Sequence, residues 1–476
     1  MASINAHPQA KRRRIRAAAA LAAALGLALF GLLSPASPAG AAPSVSCASA
    51  AAMSPRMTVH GHTAAVARLV VPGCRSRIGT GNPAVGSPPL VYHGGPVMAV
   101  PSVGNTVVMT PIFWAPAGYS FASSYKNLIV RYLNDVAAAS GTNNIFATNT
   151  EYNGSNGAVH YGITVGTPIN DTTALPTQEC TIDSGAVYSD NSGYTACLDD
   201  DQIVAETQNV ITSNSLPTNL GHMYLMFTPK HVESCFYSDA EVPSGGSNQC
   251  TINAGPTAAY CAYHSAFSSN SNAIYAEMPF PIYNSPAGPT CGSEARLPVT
   301  ESPNNNPDAD VEISPLSHEM SEAITDPDLN AWSDASGYEN GDECAYVYGA
   351  THGTAGQLYN QTINGHHYLT QEEFSNNDYF ATGGGCLQGE PRPVATADLP
   401  VSGTHNGGTL VTITGKYFPQ QATVLFGTKA GKKVTHVSGT KLTVRTPSHA
   451  VGTVSVFVKT IGGTSAQKAA VKFTFK

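Results

Sequence analysis

The segment Ser317-His318-Glu319-Met320-Ser321-Glu322-Ala323-Ile324-Thr325-Asp326-Pro327 places a histidine four residues before a glutamate. Residues four apart share one face of an α-helix, so His318 and Glu322 project together, with Glu319 beside them. Pro315 stands three residues before the histidine, where an interior proline would kink or end a helix. We therefore predict a short helix from about Pro315 to Thr325, with Ser314 as its N-cap and Asp326-Pro327 as its end.

The pattern differs from the zinc-binding HExxH motif only at its last position, where Glu322 replaces the second histidine. Zinc accepts carboxylate oxygen as well as imidazole nitrogen, so His318 and Glu322 are candidate zinc ligands. Glu319 is the candidate catalytic residue, a general base that holds a water molecule beside the metal. An anion in place of a neutral imidazole lowers the net charge of the site and weakens its Lewis acidity.

A third ligand is expected downstream of the helix. We predict Asp342, because Gly341 before it permits a close approach and Cys344 can pin the loop. Two alternatives remain open, namely Glu339 in the same loop and Asp328, which follows His318 by ten residues.

The competing interpretation is that the helix presents a solvated polar face, since a five-residue motif often matches by chance. The secretory context, the strands that precede the helix and the carboxylates that follow it favour the metal site.

The N-terminus has the layout of a signal peptide. Basic residues from Lys11 to Arg16 precede an apolar run from Ala17 to Leu33, and Ala39-Gly40-Ala41 supplies small residues for cleavage. We predict a signal peptide over residues 1–41 and a secreted, extracellular or cell-wall-associated mature protein. No later apolar run is long enough to span a bilayer, so no membrane contact is expected after cleavage.

All ten cysteines follow the predicted cleavage site. An even number in an oxidising compartment predicts disulfides, and the absence of a Cys-x-x-Cys pair argues against a thiolate zinc site. Short loops close with the least loss of entropy, so we predict pairing between sequence neighbours. The predicted bridges are 47–74, 180–197, 235–250, 261–291 and 344–386.

The chain divides into two parts of opposite charge. Residues 42–395 contain nine Lys and Arg against 31 Asp and Glu, a net charge of −22, whereas residues 396–476 contain ten against one, a net charge of +9. The predicted order is an N-terminal extension or pro-segment at 42–89, a metal-binding domain at 90–388, a Pro-rich linker at 389–399 and a basic module at 400–476.

The basic module is predicted to be an all-β sandwich, because short β-rich runs alternate with Gly-rich turns. The runs are Leu410–Thr414, Thr423–Phe426, Lys441–Val444 and Val454–Val458. Together with Gly407-Gly408-Thr409, Gly415-Lys416-Tyr417-Phe418 and Gly462-Gly463-Thr464-Ser465, they resemble an immunoglobulin-like IPT/TIG domain. The resemblance implies a fold and an accessory role.

The acidic part alternates strands and helices. Strands are predicted at Thr106–Trp114, Tyr161–Val165, Met223–Thr228 and Ala273–Met278, with helices near Tyr125–Val136 and Ile203–Ile211. Strands followed by a histidine-bearing helix are the order found in zincin-type metallopeptidases. The predicted fold class is therefore α+β, a zincin-like mixed sheet with an active-site helix, followed by an all-β immunoglobulin-like sandwich.

Several blocks in residues 90–390 resemble the EXORDIUM, or phosphate-induced protein, family and its bacterial secreted relatives. The blocks are Tyr92–Val97, Cys261–Ser265, His318–Pro327 with Asn330–Trp332, Glu339–Cys344 and Gln371–Asn376. Plant members of that family are extracellular and linked to growth responses. They commonly share the His-Glu pair, so the resemblance supports His318 and Glu319 more strongly than Glu322.

The predicted function is a secreted zinc-dependent hydrolase, specifically a metallopeptidase that acts on a protein or peptide through metal-activated water. The alternative is a non-enzymatic extracellular or cell-wall binding protein with a degenerate or structural metal site. The basic module is predicted to bind an anionic cell-wall polymer or polysaccharide. No Gly-x-Ser-x-Gly elbow or phosphate loop occurs, which argues against a serine hydrolase and a nucleotide-binding protein, and no nucleic-acid partner is expected.

Overall fold

The computed structural model of the chain describes residues 56–59, 62–68, 77–78, 87–188, 190–242, 244, 248–251, 260–267, 273–282 and 301–476. The predicted signal peptide, the predicted Cys47–Cys74 bridge and Cys291 lie outside these residues. Within the described part of the chain, no helix combines the length and the apolar character needed to cross a bilayer.

The described residues before 389 form the body of the protein. Its strands are, in chain order, β1 Arg56–Val59, β2 His62–Arg68, β3 Arg77–Ile78, β4 Val91–Tyr92, β5 Val107–Trp114, β6 Asn153–Gly154, β7 Gly157–Ala158, β8 Ile163–Val165, β9 Ile169–Asp171, β10 Ala196–Asp199, β11 His222–Thr228, β12 Val232–Cys235, β13 Tyr260–Ala266, β14 Ile274–Pro279, β15 Trp332–Ser333, β16 Val347–Gly349, β17 Gln361–Ile363, β18 His366–Tyr368, β19 Glu373–Phe374 and β20 Cys386–Leu387. Its helices are α1 Ser123–Ala138, α2 Asp200–Ser213, α3 Pro307–Thr325 and α4 Asn376–Thr382, with 3-10 turns at Pro101–Val103, Ile145–Glu151 and Asp342–Cys344.

A mixed sheet organises the body. Its strands lie in the order β1, β2, β13, β14, β11, β5 and β8, and β9 also pairs with β5. Strands β5, β11 and β14 are parallel to one another, whereas β13 runs antiparallel to β14 and β2 runs antiparallel to β13. The mixed-sheet prediction is confirmed at this level, and the zincin-like part of it stays a prediction.

The two faces of the sheet carry different helices. On β11, Met223, Leu225 and Phe227 pack in the cluster that includes apolar residues of α1 and α3, whereas Tyr224 and Met226 pack with those of α2. Side chains of a strand point alternately to opposite faces, which separates the two clusters. Helix α3 crosses β13 and β14, so its inner face looks directly onto those strands.

Helix α3 begins earlier than the sequence predicted. It starts at Pro307, with Asn306 as the N-cap residue, and Pro315 lies inside it. A proline inside a helix removes one hydrogen bond and costs about 3 kcal/mol or more. The helix tolerates this because nearly every residue from Ala309 to Thr325 is buried, so tertiary packing outweighs the local preference. The predicted end at Thr325 is confirmed.

Part of the predicted N-terminal extension belongs to the main sheet. Strand β2 pairs with β13 in a register that places Ala65 opposite His264 and Val66 opposite Tyr263. Strand β2 also contacts α3. Strands β1 and β2, which fall within the predicted extension, therefore form one end of the sheet beside the predicted metal-site helix.

The C-terminal residues form a β-sandwich, as predicted, which we call the module. Its strands are β21 Val394–Leu399, β22 Ser402–Gly403, β23 Leu410–Lys416, β24 Thr423–Phe426, β25 Lys429–Ala430, β26 Lys432–Ser438, β27 Lys441–Arg445, β28 Gly452–Thr460, β29 Gly463–Thr464 and β30 Lys472–Phe475. One sheet has the order β21, β23, β27, β26, and the other has the order β22, β30, β28, β24, β25. Strand β21 falls within the stretch predicted to be a linker, so the sandwich begins before residue 400.

The module contacts the body through hydrogen bonds. The backbone N–H of Gln420 donates to the carbonyl oxygen of Thr150 (3.2 Å), and its side-chain amide donates to Oδ1 of Asn153 (3.0 Å). The hydroxyl of Tyr417 donates to Oδ1 of Asp378 (3.3 Å). These contacts bring body and module side chains together around a shared cleft.

Candidate metal site

Helix α3 presents its polar residues to the interior. His318 Nε2 lies 2.9 Å from Oε1 of Glu322, one helical turn further on. His318 is 1% exposed, and Glu319 and Glu322 are fully buried. The helix spacing therefore brings the predicted ligands together as expected, and the alternative of a solvated face does not apply to these three side chains.

A second histidine reaches the same cluster from the sheet. His264 of β13 is fully buried, and its Nδ1 lies 3.1 Å from Oε2 of Glu319 and 3.7 Å from Oε2 of Glu322. It shares its face of β13 with Ala262, which packs in the cluster that includes α3 residues. The sequence assigned no role to His264, although a lone histidine in the strand Tyr260–Ala266 was the available signal.

The loop from Glu339 to Cys344 folds against the helix. The backbone N–H of Asp342 donates to Oε1 of Glu322 (2.9 Å), and Oδ1 of Asp342 lies 3.8 Å from Nε2 of His318. A Cβ atom on Gly341 would lie 2.8 Å from the His318 ring, so only glycine allows this approach without a shift. The disulfide between Cys344 and Cys386 fastens the loop, as predicted.

Donor atoms fall into two overlapping groups. One atom each from His318, Glu319 and Glu322 lie within 4.8 Å of one another, and so do one atom each from His264, Glu322 and Glu339. Glu322 belongs to both groups. The structure therefore brings Glu339 as well as Asp342 to the site, so both remain candidates for the third ligand.

Asp328 is placed differently from the other candidate ligands. It is half-buried after the end of α3, and burial and the charge of Asp326 raise its pKa. Among the described residues, no contact joins Asp328 to His318 or Glu322.

Gln371 orients His318 from the opposite side. Its amide nitrogen lies 2.8 Å from Nδ1 of His318 and donates to the carbonyl oxygen of Gly341 (2.7 Å). Because the far side of the ring is held in this way, Nε2 is the ring atom that faces Glu322 and Asp342. Gln371 thus couples the imidazole to the loop that approaches it.

The cluster carries more carboxylates than imidazoles. Burial opposes a charge on His318, but the carboxylates of Glu322, Glu319 and Asp342 together hold the His318 pKa well above its usual value. Burial, and then the charge of Glu322, raise the pKa of Asp342, and burial raises that of Glu373. Neither carboxylate oxygen of Glu373, nor Oε2 of Glu322, accepts a hydrogen bond from a described residue.

This donor set fits a divalent cation. Buried carboxylates are stabilised by hydrogen bonds, by protonation or by a metal, and here several oxygens lack the first. Two imidazoles and neighbouring carboxylates are ligands that zinc accepts.

Three of the predicted disulfides lie among the described residues. The bridges 180–197, 235–250 and 344–386 are confirmed. Cys261 is also disulfide-bonded, and its predicted partner Cys291 lies outside the described residues.

Comparison with known proteins identifies the module. Residues 393–475 match the IPT/TIG domain family, so the C-terminal sandwich of this chain is an IPT/TIG domain. This match covers the module alone. No family is shown for the body, and its resemblance to EXORDIUM proteins stays a prediction. A search of curated protein sequences finds no match to the chain.

Three solved structures each match a small part of the chain. The extracellular region of plexin A4 is 18% identical over 23% of this chain and 10% of its own, with a TM-score of 0.18. An auxiliary nutrient binding protein from Bacteroides ovatus is 27% identical over 18% of this chain and 21% of its own, with a TM-score of 0.15. SGBP-B from a xyloglucan utilization locus of Bacteroides uniformis is 20% identical over 22% of this chain and 26% of its own, with a TM-score of 0.16. This chain therefore spans about a quarter or less of each of these proteins.

Proposed function

We propose that the chain is a secreted zinc-dependent hydrolase, most specifically a metallopeptidase. The observation that carries the proposal is the buried cluster of two histidines and several carboxylates around Glu322. The confirmed disulfides support an extracellular location, because such bridges persist in oxidising compartments.

His318 and Glu322 would hold the zinc, with Asp342 or Glu339 as a further ligand and His264 within reach of Glu322. When bound, zinc polarises a carbonyl oxygen and lowers the pKa of a water molecule to about 7. The backbone N–H of Asp342 holds the Glu322 carboxylate in place. Gln371 holds the His318 ring in place.

Glu319 supplies the proton transfers. As a carboxylate it accepts a proton from the attacking water, and as a carboxylic acid it returns that proton to the leaving amine. His264 Nδ1 contacts Oε2 of Glu319 (3.1 Å) and holds that carboxylate in place. His264 is thus a positioning residue for the base.

The proposed site is closed in this structure. Glu319 and Glu322 are fully buried, and β2 lies along β13 opposite His264. A polypeptide substrate cannot reach Glu319 in this arrangement. We therefore interpret residues 42–89 as a pro-segment whose strand keeps the site closed, one of the two alternatives that the sequence left open.

The same burial favours the second candidate, a binding protein with a structural metal. Structural zinc sites are closed and fully coordinated by protein atoms, whereas catalytic sites keep an open position. Zinc analysis combined with hydrolysis of unfolded casein, before and after limited proteolysis of the N-terminal segment, distinguishes the two. Zinc with casein hydrolysis after processing supports the hydrolase, and zinc without hydrolysis in either form supports the structural site.

A further inference from the structure

A cleft of about 650 Å³ lies where the module meets the body, and none of the candidate metal ligands lines it. The body supplies Tyr152, Asn153, Trp332 and the start of α4, and the module supplies Gln420 and β26. Its volume is within the range of about 300–1,000 Å³ that is usual for small-molecule sites.

Aromatic rings form one part of the cleft wall. Trp332 is half-buried and packs against Tyr152, with ring centroids 5.1 Å apart, and against Tyr92 at 5.3 Å. Its indole N–H donates to the carbonyl oxygen of Asn153 (2.7 Å), which fixes the ring. Phe380 is 69% exposed, unusual for a phenylalanine that lines a cleft. Exposed rings of this kind offer apolar faces to a ligand.

Uncharged side-chain amides form the other part of the cleft wall. Gln420 uses its amide nitrogen to reach Asn153, and none of its described contacts uses the amide oxygen. Asn153 accepts that bond through Oδ1, and none of its described contacts uses Nδ2. Nδ2 of Asn377 is buried and has no hydrogen-bond partner among the described residues. The described contacts therefore leave one donor, Nδ2 of Asn153, and one acceptor, the amide oxygen of Gln420, available to a ligand, and Asn377 adds a buried donor that lacks a partner.

Charge is nearly absent from the lining. No lysine or arginine lines the cleft in the described part of the chain. Nε2 of His436 donates to the carbonyl oxygen of Phe418 (2.9 Å), and burial lowers the pKa of His436, which disfavours a positive charge on the ring. The Glu151 carboxylate accepts the backbone N–H groups of Asn376 (2.6 Å) and Asn377 (3.1 Å) and is thus engaged at the start of α4. A polyanion finds no counter-charge here, in contrast to the basic faces of the module.

We propose that this cleft binds a neutral oligosaccharide, with a sugar ring packed on Trp332 and Phe380 and its hydroxyl groups bonded to Asn153, Asn377 and Gln420. Sugar rings expose C–H groups on their faces and hydroxyl groups at their edges, which matches an aromatic wall beside free amides. Body and module both contribute, so the IPT/TIG domain completes the site. The inference is independent of the metal site.

Intrinsic fluorescence of the full chain gives a direct test, because Trp332 is one of only two tryptophans and the other, Trp114, is fully buried. The probes are cellohexaose, xylohexaose, mannohexaose, maltohexaose and chitohexaose, with hexagalacturonic acid as the anionic comparison. We expect at least one neutral hexasaccharide to change the fluorescence with saturation, and hexagalacturonic acid to leave it unchanged. EDTA is expected to leave the neutral affinity unchanged, which separates this test from the metal hypothesis.

Single substitutions show which residues bind the oligosaccharide. Phe380→Ala removes an exposed ring without disturbing the core, and we expect it to raise Kd about three- to tenfold. Asn153→Ala is expected to raise Kd by a similar factor. Val451→Ala, at a 71% exposed module residue outside the cleft lining, is the matched control and should leave Kd unchanged. The proposal is overturned if no neutral hexasaccharide binds at millimolar concentration, or if Phe380→Ala and Asn153→Ala both bind it as tightly as the unsubstituted protein does.

Discussion

His264 Nδ1 lies 3.1 Å from Oε2 of Glu319, although 55 residues separate them in the chain. One residue comes from an antiparallel strand of the main sheet and the other from the helix that crosses it. The contact fixes the carboxylate that we assign as the general base. His264 lies on β13, which pairs with β2 near the end of the main sheet. The contact therefore connects that end of the sheet to the centre of the proposed site.

Glu319→Gln separates metal binding from catalysis. Glutamine keeps the shape and one hydrogen-bond acceptor but cannot take a proton, so zinc is expected to stay while casein hydrolysis falls by about 100-fold or more. The measurements are zinc content and initial rate on the processed protein. Loss of zinc in this variant would show that Glu319 is a ligand, and an unchanged rate would remove it from the mechanism.

Gly341→Ala tests the close approach of the loop to the helix. The added methyl would lie 2.8 Å from Cγ and Nδ1 of His318 and 3.0 Å from Oε1 of Glu322, so the loop must move. Overpacking of this kind costs about 1–3 kcal/mol, and we expect a lower Tm together with weaker zinc binding.

The matched control is Gly193→Ala, whose methyl would meet a single carbonyl oxygen at 3.1 Å. A Gly341→Ala protein that keeps its Tm and its zinc affinity contradicts the assigned packing of the loop.

The buried Glu233, which lies outside the candidate metal site, is expected to make the stability of the protein depend on pH. Burial raises its pKa from 4.5 to about 8, the N–H of Asp183 lowers it, and the Asp183 charge raises it. The folded pKa exceeds the unfolded one, so the folded state binds more protons between about pH 4.5 and 8. The free energy of unfolding should therefore fall as pH rises through that window, by an amount on the order of a few kcal/mol.

Glu233→Gln removes the titrating group, and urea unfolding at several pH values from 5 to 8 should show a smaller slope than the parent. The exposed carboxylate variant Asp201→Asn serves as the control and should leave the slope unchanged. Equal slopes in Glu233→Gln and the parent would exclude Glu233 as the source.

The basic module makes a prediction about salt. If its lysines bind an anionic cell-wall polymer, cosedimentation of the intact protein with bacterial cell walls should weaken steeply up to physiological salt, where the screening length is about 8 Å. Replacing Lys429, Lys432, Lys433 and Lys441 with glutamine should abolish the salt-sensitive part of the cell-wall binding.

The placement of these lysines supports the alternative equally well. Lys429 lies on β25, and Lys432 and Lys433 lie on β26, which are the edge strands of their sheets. Lysines at sheet edges oppose aggregation without any ligand. If the intact protein does not cosediment with cell walls at low salt, protection against aggregation is the only role left for these lysines.

The sequence predicted the parts of the site that depend on local spacing. His318, Glu319 and Glu322 share one helix, so a four-residue spacing was sufficient to bring them together. The position of Asp342 followed from the glycine before it and the cysteine after it. The sandwich was predictable because its strands alternate with Gly-rich turns.

Other parts depend on contacts between distant segments. His264 reaches Glu319 only because β13 lies under α3, and sheet pairing is not encoded in local spacing. Pro315 suggested a helix start because its local cost is large, whereas burial of the whole helix decides the real start at Pro307. The cleft between Trp332 and Gln420 forms only where the module packs against the body, so the sequence of neither part predicts it.

Zinc content of the purified full chain tests the central claim most directly. Elemental analysis by mass spectrometry should give about one zinc per chain, and His318→Ala should lose it, because the proposed site takes one of its ligands from that imidazole. The control is His366→Ala, a half-exposed histidine bound to Asp135 outside the site, which should keep the zinc. A parent protein that cannot be loaded with zinc, or a His318→Ala variant with full occupancy, would contradict the account.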